Sequence, residues 1–140
     1  MKILLAVDGS PASVRAARHA ARLAQAMAEP PTLVVFHADL PLPRIAALEL
    51  GVQGTADYHA DNANHALRAV RTALRRARVA FTEKVVVAEP AAAIVRHARS
   101  ARIDLVVMGT RGRGAIEGLL LGSVARKVVA GAGVPVTVVP

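Results

Sequence analysis

The chain has 140 residues, of which 54% are hydrophobic and only 2% are aromatic. That length fits one domain with an aliphatic core, which we expect to span residues 1–140. There is no cysteine, so disulfides, thiolate catalysis and cysteine-ligated zinc are excluded. The formal net charge of +8 favours anionic partners. No apolar run reaches the roughly 20 residues of a membrane span, and the N-terminal segment lacks a signal-peptide cleavage site, so we expect a cytoplasmic protein.

Short apolar runs alternate with amphipathic segments from the N-terminus onward. The first run, residues 2–7, predicts a buried strand that ends in a turn. Ser10 followed by Pro11 is typical of a helix N-cap with proline in the first turn. We expect this helix to end before Pro30 and a second buried strand to follow over residues 32–37.

Residues 38–55 lack a clear period and contain two prolines and two glycines. We expect an irregular loop here, because long loops in small domains are often lids or binding elements. A short helix over residues 45–50 is the alternative. A long amphipathic helix is predicted over residues 56–80, with leucine and valine along one side.

The second half of the chain repeats the alternation. Strands are predicted over residues 83–88 and 104–108, with a helix that begins at Pro90 between them. A glycine-rich segment follows the second of these strands. A further helix is then predicted over residues 123–130.

The last predicted strand begins at Val134 and ends at Val139. Pro135 lies within it and has no N–H for a hydrogen-bond ladder, so we expect an edge strand. Strands that are continuous apolar runs between helices indicate a parallel sheet covered on both faces. The predicted fold is therefore a single-domain, doubly wound α/β protein with three layers and a five-stranded parallel sheet.

Two strand ends carry residues typical of a ligand site. Asp8 follows the first strand, and the glycine segment, residues 109–123, follows the fourth. Ligands of doubly wound sheets bind beyond the carboxyl ends of the strands, where the winding direction reverses. Glycine lets a phosphate approach the backbone closely, and the helix that begins near Ser123 offers free N–H groups to an anion. The sequence thus favours a phosphate site in this crevice.

The glycine segment is neither of the two common phosphate loops. It lacks the Gly-Lys-Ser/Thr ending of a Walker A loop, and a dinucleotide fingerprint would follow the first strand. Arg111 and Arg113 bring positive charge, either to a phosphate or only to solvent. The glycines themselves could simply form turns and a helix start. No catalytic base is evident beside Ser123; Glu117 as the base of a slow ATPase is an alternative function.

The spacing Gly109-x2-Gly112-x9-Gly122-Ser123 resembles the nucleotide-binding pattern of the ATP-binding branch of the universal stress protein family. The resemblance covers the whole chain, from the opening ILLAVDGS to the closing VPVTVV. It implies an adenine nucleotide alpha hydrolase-like sheet in the order 3-2-1-4-5. It also implies a regulatory protein of the universal stress response that binds ATP, with or without Mg²⁺, and forms a homodimer through its fifth strand.

The same resemblance implies roles for individual residues. Asp8 and Ala38 would lie at the adenine, and Met108 and Gly109 near the ribose. The residues that would hold the phosphates are Gly112, Gly122, Ser123 and Val124, with Arg111 and Arg113 nearby.

Two other patterns have simpler explanations. Asp57, Asp61 and His65 lie one turn apart on a helix, which a solvated face explains better than a metal site. Arginines at positions 68, 71, 75 and 78 form a basic stripe, but the chain has only three aromatic residues to stack on bases, which argues against a nucleic-acid partner. A nucleotide-free protein interaction module remains the other alternative function.

Overall fold

The computed structural model describes residues 1–112 and 121–140. Within these residues, five strands alternate with four helices, and the strands form one parallel sheet in the order β3-β2-β1-β4-β5. The predicted fold class and strand order are therefore confirmed. The bounds are β1 Lys2–Ala6, α1 Pro11–Ala26, β2 Thr32–Asp39, α2 Arg44–Arg76, β3 Thr82–Val87, α3 Pro90–Ser100, β4 Leu105–Gly109, α4 Ser123–Gly131 and β5 Val136–Val139.

The sheet buries a separate apolar layer on each face. Because successive side chains of a strand point to opposite faces, Leu5 packs with the layer that α1 and α2 cover, and its neighbour Leu4 packs with the layer under α3 and α4. From the helices, Leu67 and Val70 of α2 enter the first layer and Ile94 of α3 enters the second. The predicted aliphatic core is thus two aliphatic layers, one on either side of the sheet.

The central strand β1 determines where a ligand crevice lies. It pairs in parallel with β2 on one side, through Ile3 opposite Leu33, and with β4 on the other, through Ile3 opposite Leu105. The chain therefore winds in opposite directions from β1, and a crevice opens beyond the carboxyl ends of β1 and β4. This confirms that the two strand ends with site-like residues are neighbours.

Side-chain caps fix the starts of α1 and α3, which lie on opposite faces of the sheet. Ser10 has extended backbone angles before α1, and its hydroxyl oxygen accepts a hydrogen bond from the Ser13 N–H at 3.2 Å, as the sequence predicts. Glu89 caps α3 in the same way, because its carboxylate accepts from the Ala92 N–H at 2.7 Å. That hydrogen bond keeps the pKa of Glu89 below its ordinary value.

The expectation of an irregular loop over residues 38–55 is wrong. Helix α2 already begins at Arg44, so the alternative of a helix over residues 45–50 was the better interpretation. Pro43 precedes the first turn, where a proline interrupts no helical hydrogen bond, and the non-helical angles of Gly51 (φ 72°, ψ −178°) divide α2 into two helical arms joined at a kink. The long helix also ends at Arg76, four residues before the predicted end.

The last strand is an edge strand, as predicted. It begins at Val136, two residues later than expected, so Pro135 precedes the strand and its carbonyl accepts from the Val106 N–H at 3.0 Å. None of the helices in the described part of the chain is long and apolar enough to cross a membrane.

Candidate functional site

The turn after β1 holds Asp8 in a fixed orientation. Its Oδ1 accepts hydrogen bonds from the Ser10 N–H at 3.0 Å and from the Ser13 hydroxyl at 2.6 Å. Its own N–H donates to Ser13 Oγ at 3.0 Å. Gly9 takes a left-handed φ of 81°, which costs glycine little because it has no Cβ. The turn thus presents a half-buried carboxylate at the carboxyl end of β1.

Gly109 ends β4 where that strand touches α1. A Cβ on this glycine would lie 2.6 Å from the Ala12 Cβ and 3.0 Å from the Ala12 carbonyl carbon. No side chain fits there unless α1 moves away from β4. Packing alone therefore requires a glycine at this position, whether or not a ribose lies beside it. Met108, also expected near the ribose, has its side chain in the layer under α3 and α4 and is 6% exposed.

The chain after β4 folds back onto the β1 turn. A Cβ on Gly112 would collide with Oδ2 of Asp8, so the glycine backbone approaches the carboxylate closely. The Ser10 hydroxyl reaches the Arg111 carbonyl at 3.5 Å. The structure therefore brings Asp8 and Gly112, which are more than a hundred residues apart in sequence, into one crevice.

Gly122 stands immediately before α4, with φ −68° and ψ 164°. Its N–H donates to the Thr110 carbonyl at 2.7 Å, and a Cβ on it would lie 3.2 Å from that same oxygen. Helix α4 begins at Ser123 with no side-chain cap and no acidic residue in its first turn. The positive end of the helix dipole and the first amides of α4 are thus not neutralised by a side chain of the helix itself.

Not all of the remaining predicted site residues lie in the described part of the chain. Ser123 and Arg111 are exposed, and no side-chain partner of Arg111 exists among residues 1–112 and 121–140. Ala38 and Val124 are half-buried and pack against the layer under α3 and α4. Arg113 and Glu117 lie outside the described residues.

A polar cluster that the sequence did not predict lies next to Ala38, at the end of β2. Oδ2 of Asp39 accepts hydrogen bonds from His59 Nδ1 at 2.6 Å and from Asn62 Nδ2 at 2.9 Å. Burial favours a raised pKa of Asp39, but the hydrogen bonds from His59 and Asn62, with the nearby charge of His37, outweigh it and keep that pKa below its ordinary value. The cluster ties α2 to the carboxyl end of β2.

The sequence offered only a weak signal for this cluster. His59 and Asn62 are three residues apart and so share a helix face, but their acceptor Asp39 lies 20 residues before His59. The contact exists because α2 packs back onto the sheet, which no local pattern records. No local sequence pattern therefore predicts this cluster.

His37 places a second polar group near the carboxyl end of β2. Its Nδ1 is 2.9 Å from the Val7 carbonyl, and because a carbonyl only accepts, Nδ1 carries the hydrogen. Its Nε2 is buried and has no hydrogen-bond partner among the described residues. A buried nitrogen without a partner is rare, so this atom is a candidate to meet a ligand group between the β1 turn and Ala38.

The helix face with Asp57, Asp61 and His65 has no metal-site geometry. The Asp57 carboxylate accepts from the Gln53 amide at 2.8 Å, and all three side chains are exposed. Across residues 1–112 and 121–140, no group of three histidine or acidic side chains is arranged to hold a metal ion.

The fold and the crevice together define a small doubly wound α/β protein with its candidate site at the switch point between β1 and β4. The family model described as the universal stress protein family matches residues 1–140. Two curated universal stress proteins are also similar over nearly the whole chain. The chain belongs to the universal stress protein family.

The two curated relatives come from a bacterium and an archaeon. A universal stress protein of Thermus aquaticus is 38% identical over 138 residues, which cover 98% of this chain and 96% of that one. A universal stress protein of Methanocaldococcus jannaschii is 32% identical over 142 residues, which cover 99% of this chain and 81% of the relative.

Two solved structures show what similar proteins bind. A universal stress protein in complex with cAMP is 26% identical, with a TM-score of 0.74, over 100% of this chain and 97% of that one. The universal stress protein from Archaeoglobus fulgidus in complex with dAMP is 27% identical, with a TM-score of 0.73, over 100% of this chain and 98% of that one. Both ligands are adenine nucleotides.

Proposed function

We propose that this protein binds an adenine nucleotide, with ATP as the physiological ligand, in the crevice between the β1 turn and the start of α4. The observation that carries the proposal is the junction at Gly122. There a residue without a Cβ precedes a helix whose first turn contains no acid, and its N–H holds the chain that leaves β4. Such a junction suits a phosphate. The cAMP and dAMP complexes of similar proteins support the adenine nucleotide as the ligand class.

Each end of the nucleotide has its own candidate contacts. The adenine would lie between Asp8 and Ala38, close to the buried His37. The ribose would lie over Gly109 and the backbone of Met108, since the Met108 side chain is in the core. Any Mg²⁺ would be bound chiefly through the phosphates, as is usual for this ion. The phosphates would be held by Gly112, Gly122, Ser123 and Val124, with charge from Arg111 and Arg113.

The protein would act through occupancy of the site and not through turnover. The Thr110 N–H donates to the Val139 carbonyl at 2.8 Å, so the loop after β4 is tied to the edge strand β5. Nucleotide binding to that loop would therefore affect β5, the edge strand through which we propose that two copies of the chain pair. A cytoplasmic protein with such a switch would report nucleotide supply to a partner.

A nucleotide-free interaction module is a second candidate, and one observation favours it. The start of α2, on both sides of Gly51, exposes Ile45, Leu48 and Val52, which are 74%, 71% and 92% open to solvent. Apolar clusters of this kind often mark contact surfaces. Sedimentation of nucleotide-free protein separates the two candidates. The interaction module requires a stable complex with a partner or with a second copy, and added ATP should not change that complex.

Calorimetry with ATP and Mg²⁺ on the parent and on Gly122→Val tests the first candidate. The branched side chain would press on the Thr110 carbonyl and project beside the first amides of α4. We expect micromolar-to-millimolar binding by the parent and none by the variant. Gly131→Val is the matched control, since its Cβ lies 3.3 Å from Val95 Cγ2 at the other end of α4. If Gly122→Val is folded and binds ATP like the parent, the proposed site is wrong.

A further inference from the structure

A basic groove runs between α1 and α2, on the face of the sheet opposite α3 and α4. Its volume is about 760 Å³, within the range of small-molecule sites. It extends from Gly9 beside the β1 turn to Ala77 just after α2. Among the described residues, none of those assigned to the nucleotide crevice lines it. We call it the arginine groove, after Arg18, Arg68 and Arg76 in its walls.

The two walls of the arginine groove bring charge from different helices. Arg68, Thr72 and Arg76 form one row of α2, four residues apart, so the two arginines are about 12 Å apart along the helix axis. Arg18 of α1 faces them, and His65 lies on α2 three residues before Arg68. Ala69, Ala73 and Ala77 also line the groove, and their small side chains leave room for a ligand between the helices. Within residues 1–112 and 121–140, no carboxylate lines the groove.

The guanidinium groups of the groove are not used by the fold. In the described part of the chain, none of Arg18, Arg68 and Arg76 has an ion pair or a side-chain hydrogen bond. Arg71 on the same helix differs, because both its Nε and Nη2 donate to the Glu83 carboxylate at 2.7 Å. The positive charge of Arg18 on α1 thus repels those of Arg68 and Arg76 on α2 across the groove unless an anion lies between them.

We propose that the arginine groove binds a linear polyphosphate, a chain of phosphate groups without bases. Arginine binds phosphate oxygens with two parallel N–H donors, and two arginines whose backbone positions are about 12 Å apart along one helix match an extended chain better than a single phosphate. Nucleic acid fits less well, because no aromatic side chain lines the groove to stack on a base. The site is independent of the proposed nucleotide crevice.

Calorimetry of the full chain with inorganic tripolyphosphate tests the groove. We expect binding by the parent that weakens as salt is added, since phosphate contacts release counterions. The double variant Arg68→Gln/Arg76→Gln should bind at least about tenfold more weakly, because two charge-assisted contacts are lost. Both side chains are exposed, so the variant should fold, and its affinity for ATP should match the parent's.

The matched control removes the same charge elsewhere. Arg96→Gln/Arg102→Gln alters two exposed arginines on the α3 side of the sheet, and we expect less than about a twofold change in tripolyphosphate affinity from long-range charge alone. Equal losses in the two double variants, or no binding by the parent, would overturn the proposal. So would loss of all tripolyphosphate binding in Gly122→Val, which would place the phosphates in the crevice. Tighter binding of single-stranded oligothymidine, lost in the same variant, would replace polyphosphate with nucleic acid.

Discussion

The crevice between β1 and β4 and the arginine groove between α1 and α2 are both proposed to bind phosphate, but by opposite means. The crevice relies on backbone: Gly112 and Gly122 leave space, and the first amides of α4 supply donors. The groove relies on long side chains that project from helix surfaces. It follows that added volume should damage the crevice, whereas removed charge should damage the groove.

The largest effect is expected from Gly109→Ala. The new Cβ would lie 2.6 Å from that of Ala12, so α1 must shift from β4, at a cost of about 2 kcal/mol, as is usual for overpacking. Urea unfolding measures the loss. Gly131→Ala serves as control, because a Cβ there meets only the mobile end of Val95. Equal stability of the two variants would show that Gly109 is not a packing glycine.

Gly112→Ala should act on the crevice alone. Its Cβ would displace the Asp8 carboxylate, and we expect about tenfold weaker ATP binding, which equals about 1.4 kcal/mol. Tripolyphosphate binding in the groove should stay unchanged. Calorimetry with both ligands makes the comparison. If both affinities fall together, the two regions are one site and the distinction between them is lost.

Asp39→Asn tests whether the charge of Asp39, at the end of β2, stabilises the fold. Because the pKa of Asp39 is lowered in the folded protein, its ionised form stabilises the fold above the ordinary pKa of an aspartate, and this contribution disappears as the pH falls through the lowered value. The variant should lose about 1 kcal/mol at neutral pH and nothing further in acid through this group. Urea unfolding from pH 7 down to about pH 3 measures it, with Asp61→Asn as an exposed control. A parallel acid loss in parent and variant would contradict the assignment.

The smallest effect is expected from Arg71→Gln. Its partly exposed ion pair with Glu83 lowers the pKa of that carboxyl, yet such pairs contribute only about 0.5 kcal/mol. Tripolyphosphate affinity should change less than about twofold, because Arg71 points its charge at Glu83 and does not line the groove. A loss as large as that of Arg68→Gln/Arg76→Gln would mean that the whole helix surface, and not the groove, binds phosphate.

The two regions also differ in what the sequence could predict. Local patterns predict the apolar strands, the Asp8 turn and the spaced set of glycines, whereas the strand order that brings β1 beside β4 follows only from the family resemblance. The individual contacts of the glycines did not follow, because Ala12 and Asp8 reach them only after α1 docks on the sheet.

No local sequence pattern predicts the arginine groove. Helical spacing grouped Arg68 with Arg71 in a single stripe, whereas the structure separates them: one lines the groove opposite Arg18, and the other pairs with Glu83 of β3. Both outcomes depend on which neighbour α2 meets. The error over residues 38–55 has a related cause, since the chain is helical on both sides of the kink at Gly51, although its prolines and glycines predict a loop.

The bend at Gly51 has a practical consequence for protein engineering. After it, α2 is anchored by six buried side chains and by the Asp39 cluster, but before it the helix contributes no buried residue. An epitope, a fluorophore or a small folded module inserted at the bend would lengthen only the unanchored arm. The fold therefore contains a natural position for a label that interrupts neither the sheet nor the anchored part of α2.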